Sequence, residues 1–300
     1  MAPRPRSRRL ATEQANRASS RLHRMTALEI ARLMNRENRR AVAAVGRVAG
    51  PIAAAVDLIV ASLRRGGRLI FAGAGTSGRL GVLEAAECPP TFGTPPSRVQ
   101  ALMAGGRASV FRSREGAEDD AAAARRAVRA RVRAGDVLVG VSASGITPFV
   151  RAALAEARRG RAATVLVACN PQRSGRRLAR VVIAPSPGPE VLAGSTRLKA
   201  GTATKLVLNT LTTASMARLG RVYRNRMVDL QPRSRKLVAR ALGLVEELGG
   251  VSRAGARRLL RAARGRPALA ILMARTGDDA PAAARRLRRA GGSLAAALGE

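Results

Sequence analysis

Residues 73–90, GAGTSGRLGVLEAAECPP, follow directly on the apolar run Leu69-Ile70-Phe71-Ala72, and this juncture constrains the fold more than any other part of the chain. A short apolar run flanked by glycines predicts a buried strand. Gly73, Gly75 and Gly78 let the backbone turn where side chains would clash, so a strand, a tight turn and a helix start are expected in that order. Amides at such a helix start point at one spot, and the hydroxyls of Thr76 and Ser77 can donate to it, which makes a phosphate the natural guest. The spacing is G-x-G-x-x-G, but the Gly-Lys-Ser/Thr ending of a nucleotide P-loop is missing. No acidic residue follows the next strand-like run, Val99 to Ala104, which lowers the case for a dinucleotide. A plain tight turn is the alternative.

The same punctuation recurs downstream. Strand-like runs at Val99 to Ala104, Val137 to Val141, Thr164 to Ala168 and Val181 to Ala184 are separated mostly by helix-length segments, which predicts an α/β fold around a parallel sheet. Before the first strand, Thr26 to Glu29 has capping-box spacing, and apolar positions from Leu28 to Leu63 keep a helical period through two helices. Ligands of parallel sheets gather at the carboxyl ends of strands. There the turn Ser142 to Thr147 sets Ser142, Ser144 and Thr147 around Gly145, with Pro148 opening a helix: a second anion cradle, or an ordinary helix cap. Beyond the last strand, Gly194 to Thr202 opens a long apolar helix reaching Leu219. Lys199 and Lys205 fall in this segment, two of only three lysines in the chain, so a compact ammonium is expected to matter there.

Composition excludes more than it assigns. No run of eighteen apolar residues occurs, and no apolar segment stands behind the basic N-terminus, so neither a membrane span nor a signal peptide is expected and the cytoplasm is the default compartment. Cys88, Cys169 and His23 are too few for a Cys/His zinc site, and no metal is expected. A net charge of +36 suggests nucleic acid at first sight. However, arginine is scattered through every segment and aromatic residues make up 2%, which leaves little to stack on bases. Nonspecific attraction to polyanions is expected, specific nucleic-acid recognition is not, and Arg4 to Arg9 read as a solvated tail.

GAGTSGRLGVLEAAECPPTFG, EGAED (115–119), GPEVLAGSTRLKAGTATKLVLN (188–209) and NRMVDLQ (225–231) occur in one order, preceded by TEQAN and LEIARLMN. Together they closely resemble the N-acetylmuramic acid 6-phosphate etherases, from about Thr12 to the C-terminal helices. The resemblance implies a sugar isomerase (SIS) type parallel sheet flanked by helices, a flavodoxin-like sandwich, with a small all-helical C-terminal domain like a ubiquitin-associated (UBA) domain. It implies a tail and supporting helices over 1–57, the sugar-phosphate domain over 58–221, a linker over 222–236 and the helical domain over 237–300. It also implies a homodimer, no cofactor, and cleavage of the C3 lactyl ether of N-acetylmuramic acid 6-phosphate to N-acetylglucosamine 6-phosphate and D-lactate during peptidoglycan recycling.

Carried onto this chain, the family's acid/base positions are Glu87 of ECPP and Glu118 of EGAED. Ether cleavage by elimination needs such a pair, one to remove the C2 proton and one to protonate the departing lactate oxygen. Glu87 is expected to be the acid, kept protonated by burial beside Cys88, Pro89 and Pro90, and Glu118 the base. Gly75, Thr76, Ser77, Ser142 and Ser144 are expected to bind phosphate, with Lys199 as a counter-charge. Arg79, Ser195, Thr196 and Arg197 are candidates for the lactyl carboxylate, and Glu190 or Lys199 for service in a neighbouring subunit. Glu84 and Glu115 are expected at the surface.

Two departures stand out. Ile146 replaces an arginine usual in the family's ASGRTP turn, and His23 replaces an aspartate, expected to be a surface change. SIS domains also occur in phosphosugar-binding regulators without catalysis and in aldose-ketose isomerases, so both remain alternatives. A regulator needs the phosphate cradle but no acid/base pair, and an isomerase expels no C3 group.

Overall fold

A computed structural model describes residues 10–170, 175–232 and 234–300, so the basic stretch Arg4 to Arg9 lies outside the described residues. The chain divides into two units: residues 1–85 with 97–211, and residues 86–96 with 212–300.

In the first unit, α1 (Ala27–Gly46) and α2 (Ala49–Arg64) meet at a 60° bend. The Thr26 hydroxyl accepts from the Glu29 amide at 3.3 Å, and the Glu29 carboxylate accepts from the Thr26 amide at 2.7 Å, the capping box that the spacing announced. Strands β1 (Leu69–Gly73), β2 (Val99–Met103), β3 (Val137–Val141), β4 (Ala163–Val167) and β5 (Val181–Ile183) are all parallel, in the order β2-β1-β3-β4-β5. This is the flavodoxin-like order, whose reversal point lies between β1 and β3.

Both faces of the sheet are covered. Ile70, Leu102, Leu138 and Leu166 pack with residues of α4 (Ala121–Arg131) and α5 (Pro148–Arg159) into one core, each burial stabilising by roughly 1.5–3 kcal/mol. The opposite-pointing Phe71 meets α3 (Gly75–Phe92): a Cβ on Gly81 would stand 2.8 Å from Phe71 Cβ, so glycine lets helix and strand approach. α6 (Gly175–Leu178) is one short turn, and α7 (Lys199–Arg218) begins in this unit, with residues 212–218 counted in the second.

The second unit holds α8 (Arg235–Gly249), α9 (Arg253–Ala262), α10 (Pro267–Thr276), α11 (Ala280–Arg289) and α12 (Leu294–Leu298). Val245, Ala256, Ile271, Leu272, Ala283 and Leu294 form its core, and the segment expected as a linker contributes Tyr223, Val228 and Leu230 to it. Among the described residues, no single helix is long and apolar enough to cross a membrane.

Candidate active site

β1 ends at Gly73 and α3 begins at Gly75, so only Ala74 separates them. Two kinds of glycine requirement make this possible. Gly75 takes φ +53°, where a side chain is strained, whereas Gly73 and Gly78 touch: a Cβ on Gly78 would lie 2.6 Å from the Gly73 carbonyl oxygen and 2.4 Å from Met103 Sδ. Thr76 and Ser77 therefore sit half-buried in the first turn of α3, among amides that have no partner within the helix.

β3 is hydrogen-bonded to β1, which sets the second hydroxyl turn beside the first at the reversal point. The Ser142 and Thr147 hydroxyls are 2.8 Å apart, the Gly145 amide donates to Ser142 Oγ at 3.0 Å, and the Ile146 amide donates to Ser144 Oγ at 3.3 Å. Ser142 is buried and its oxygen shapes the turn from within; Ser144 is half-buried and Ile146 exposed. The Asn170 side-chain amide donates to the Ala143 carbonyl at 3.0 Å and to the Thr12 hydroxyl at 3.2 Å, tying this turn to the N-terminal segment.

A third helix start joins them. The point a Cβ would occupy on Gly201 of α7 lies 3.7 Å from Thr76 Cγ2 and 3.5 Å from the Thr196 carbonyl oxygen, so α3 and α7 begin side by side. Ser195 and Thr196 are half-buried here, and Arg197 is exposed.

Several expected ligand groups have partners within the chain. Lys199 is fully buried, and its ammonium donates to Glu37 Oε2 at 2.5 Å instead of facing a ligand. Glu37 also accepts from Asn16 Nδ2 at 2.8 Å and pairs with Arg40 at 3.2 Å. Burial would raise the Glu37 carboxyl, but the hydrogen bonds from Lys199 and Asn16 and the charges of Lys199 and Arg40 outweigh it, holding the group below its ordinary value. Glu190, also fully buried, accepts from the Lys199 and Ala200 amides at 2.8 Å each and caps α7. Its desolvation exceeds the help of those two amides and of the Lys199 charge, so its carboxyl is pushed up. Arg79, a candidate for the lactyl carboxylate, donates to the carbonyls of Val110 at 2.8 Å and Ser109 at 3.0 Å, holding the loop after β2 against α3.

The glutamates also sort differently from expectation. Glu84 is not at the surface: it is 5% exposed and accepts from Lys205 Nζ at 2.7 Å. Glu87 is exposed, not buried beside Cys88 as expected. The reason is helical phase, because Glu84 and Cys88, four residues apart, share the inward face while Glu87 falls off it. Glu118 and Glu115 are exposed, and the Glu118 carbonyl accepts from the Phe149 amide at 2.9 Å. Glu87 belongs to the second unit and Glu118 to the first.

A cavity of about 1040 Å³ in the first unit lies away from the hydroxyl turns, between β2 and α4, lined among others by Met103, Arg107, Arg114, Glu115 and Phe149. Cys169 is buried against the Ala200 carbonyl and Thr204, and burial pushes its thiol up to about 12. Among the described residues, no group of three or more His, Cys, Asp or Glu could hold a metal ion. His23 is exposed, accepting from Arg24 Nε at 3.2 Å.

Comparison with known proteins matches these features to a group. Residues 51–158 match the family model of the glucokinase regulatory protein N-terminal SIS domain. An N-acetylmuramic acid 6-phosphate etherase of Mycolicibacterium smegmatis is 50% identical over 97% of this chain and 98% of its own. One from Gloeobacter violaceus is 50% identical over 98% of this chain and 96% of its own. Among solved structures, a phosphoheptose isomerase from Neisseria gonorrhoeae aligns over 64% of this chain and 100% of its own, with a TM-score of 0.48 and 21% identity. With half of its residues shared along nearly its whole length, the chain belongs to the N-acetylmuramic acid 6-phosphate etherase family.

Proposed function

We propose that the chain cleaves the C3 lactyl ether of N-acetylmuramic acid 6-phosphate, giving N-acetylglucosamine 6-phosphate and D-lactate. One observation carries this reading: half of the residues are shared with an etherase along nearly the whole chain, and the resemblance puts Glu87 and Glu118 at that family's acid/base positions. The phosphate goes to the first turn of α3, where free amides and the Thr76 and Ser77 hydroxyls converge beside the Ser142 to Thr147 turn. Ser142 acts by bracing that turn, since its oxygen already accepts from the Gly145 amide.

In the open-chain sugar the C2 proton is acidified by the C1 aldehyde, and Glu118 removes it. The C3–O bond then breaks, with Glu87 giving its proton to the lactate oxygen. Water adds across the resulting C2–C3 double bond, its hydroxyl to C3 and a proton to C2, so one water is consumed.

The compartment is the cytoplasm, which suits a phosphorylated substrate that does not cross lipid. The assembly is a homodimer, as the family resemblance implies. Release of D-lactate from N-acetylmuramic acid 6-phosphate by the purified chain is the test. Glu87→Gln and Glu118→Gln should each lose about 10²–10⁴ in rate, the range for a positioned proton donor or acceptor. Phosphosugar binding without lactate release would instead favour the regulator.

A further inference from the structure

We propose that Lys205 holds the lactyl carboxylate of the substrate, a contact that rests on the etherase reading above. α3 and α7 start together where Thr76 meets Gly201. Glu84 lies eight residues further along α3 and Lys205 four residues further along α7. The Lys205 ammonium closes the gap between them, donating to Glu84 Oε1 at 2.7 Å and to Asn209 Oδ1. Eight residues at about 1.5 Å each put the Glu84 Cα about 12 Å from that of Thr76. Helical side chains lean toward the N-terminus, so the ammonium lies nearer than that. A phosphate at the α3 turn and a cation further along the same pair of helices suit a six-carbon sugar with a phosphate at one end and an acid on its C3 oxygen.

Two of the other candidate cations already have partners, whereas Arg197 lies exposed at the start of α7. Lys199 is sealed against Glu37, and Arg79 is spent on two backbone carbonyls. Lys205 differs from both. Its side chain keeps 34% of its surface exposed, and an ammonium has three protons, of which Glu84 and Asn209 take two among the described residues. Those two partners fix the direction of the third. Glu84 offsets much of the positive charge, so the contact works as an aimed, charge-assisted hydrogen bond more than as long-range attraction. Such a bond discriminates a substrate that carries the carboxylate from one that lacks it.

Steady-state kinetics on the full chain tests this with two ligands. Lys205→Met should raise KM for N-acetylmuramic acid 6-phosphate about tenfold or more, the scale of a lost hydrogen bond to a charged group, with a smaller change in kcat. The inhibition constant of N-acetylglucosamine 6-phosphate, which has the phosphate and no lactyl group, should move by less than about twofold, and Lys205→Arg should recover part of the KM. Should Lys205→Met not fold, Lys205→Gln gives the same two readouts. An unchanged KM overturns the contact, and so does equal weakening of both ligands, which marks Lys205 as a phosphate ligand or a packing group. If the unsubstituted chain releases no D-lactate, the etherase reading fails first and takes this contact with it.

Discussion

Glu37 illustrates how a single side chain can be placed by residues far away in sequence. It lies on α1 between Leu33 and Ala41, one turn from each, on the buried face of the helix. A carboxylate there needs a partner, and Lys199, 162 residues away, supplies it. Removing one member of a buried pair costs about 3–5 kcal/mol, because the other charge is left unpaired. Glu37→Gln should therefore destabilise the chain by that order, and adding Lys199→Met should restore part of the loss by removing the stranded ammonium. The pH dependence has a definite sign. The folded Glu37 carboxyl lies below 4.5, its ordinary value, so the unfolded chain takes up the proton first as pH falls. The stability it contributes is complete above 4.5 and is lost as pH drops through the folded value. Glu190 has the opposite slope: its folded value is raised, so stability falls as pH climbs from 4.5 through that value. Thermal unfolding of the unsubstituted chain and Glu37→Gln should show a Tm gap that is constant near neutrality and narrows below pH 4.5. A gap that persists unchanged in acid would contradict the pairing.

At the scale of elements, the β1–α3 juncture makes unequal demands on its glycines. Gly75→Ala adds a side chain in open space at φ +53°, so only backbone strain opposes it, about 1–2 kcal/mol. Gly78→Ala drives a methyl group into the Gly73 carbonyl and Met103 Sδ, and the carbonyl is strand backbone that cannot step aside. Its cost should exceed that of Gly75→Ala, reach about 1–3 kcal/mol or more, and displace Thr76 and Ser77 with the helix start. Urea midpoints of the two variants give the order directly, and a smaller loss at Gly78 would mean that α3 is not pinned to β1. Elements of this kind were legible in the sequence because their causes are local. The strand-like runs ended within a residue of where the strands end, the Thr26 box closed as spaced, and Pro148 does open α5. Lys199, Glu190 and Arg79 were read as ligand groups because loop position and charge suggest it. The partners they have within the chain, namely Glu37, the amides at the start of α7 and the carbonyls after β2, are tertiary and leave no local trace. Glu37 on the apolar stripe of α1 was the one available sign.

For the whole molecule, the charge of +36 asks for a physical account separate from the site. Of the 55 basic residues only three are lysine, and arginine occupies even turn positions that favour glycine: Arg161, Arg224 and Arg264 have φ between 52° and 57°. Arginine standing where the backbone itself is strained indicates a general bias in usage, not a basic patch evolved for one partner. Its consequences follow all the same. Nineteen acidic residues cannot pair with fifty-five basic ones, so the folded chain carries a strong self-repulsion. Salt screens that repulsion, with a Debye length of about 10 Å at 0.1 M, and also displaces polyanions bound through counterion release. One titration therefore has two readouts of opposite direction. From low to moderate sodium chloride, Tm should rise, while affinity for DNA duplexes should fall linearly on logarithmic axes and be the same for unrelated sequences of equal length. With aromatic residues at 2%, there is no stacking contribution to resist the salt. A Tm that falls over this range would mean that specific ion pairs, such as Lys199 with Glu37, outweigh the net repulsion. An affinity that held in salt or depended on base sequence would show the arginines arranged for recognition after all.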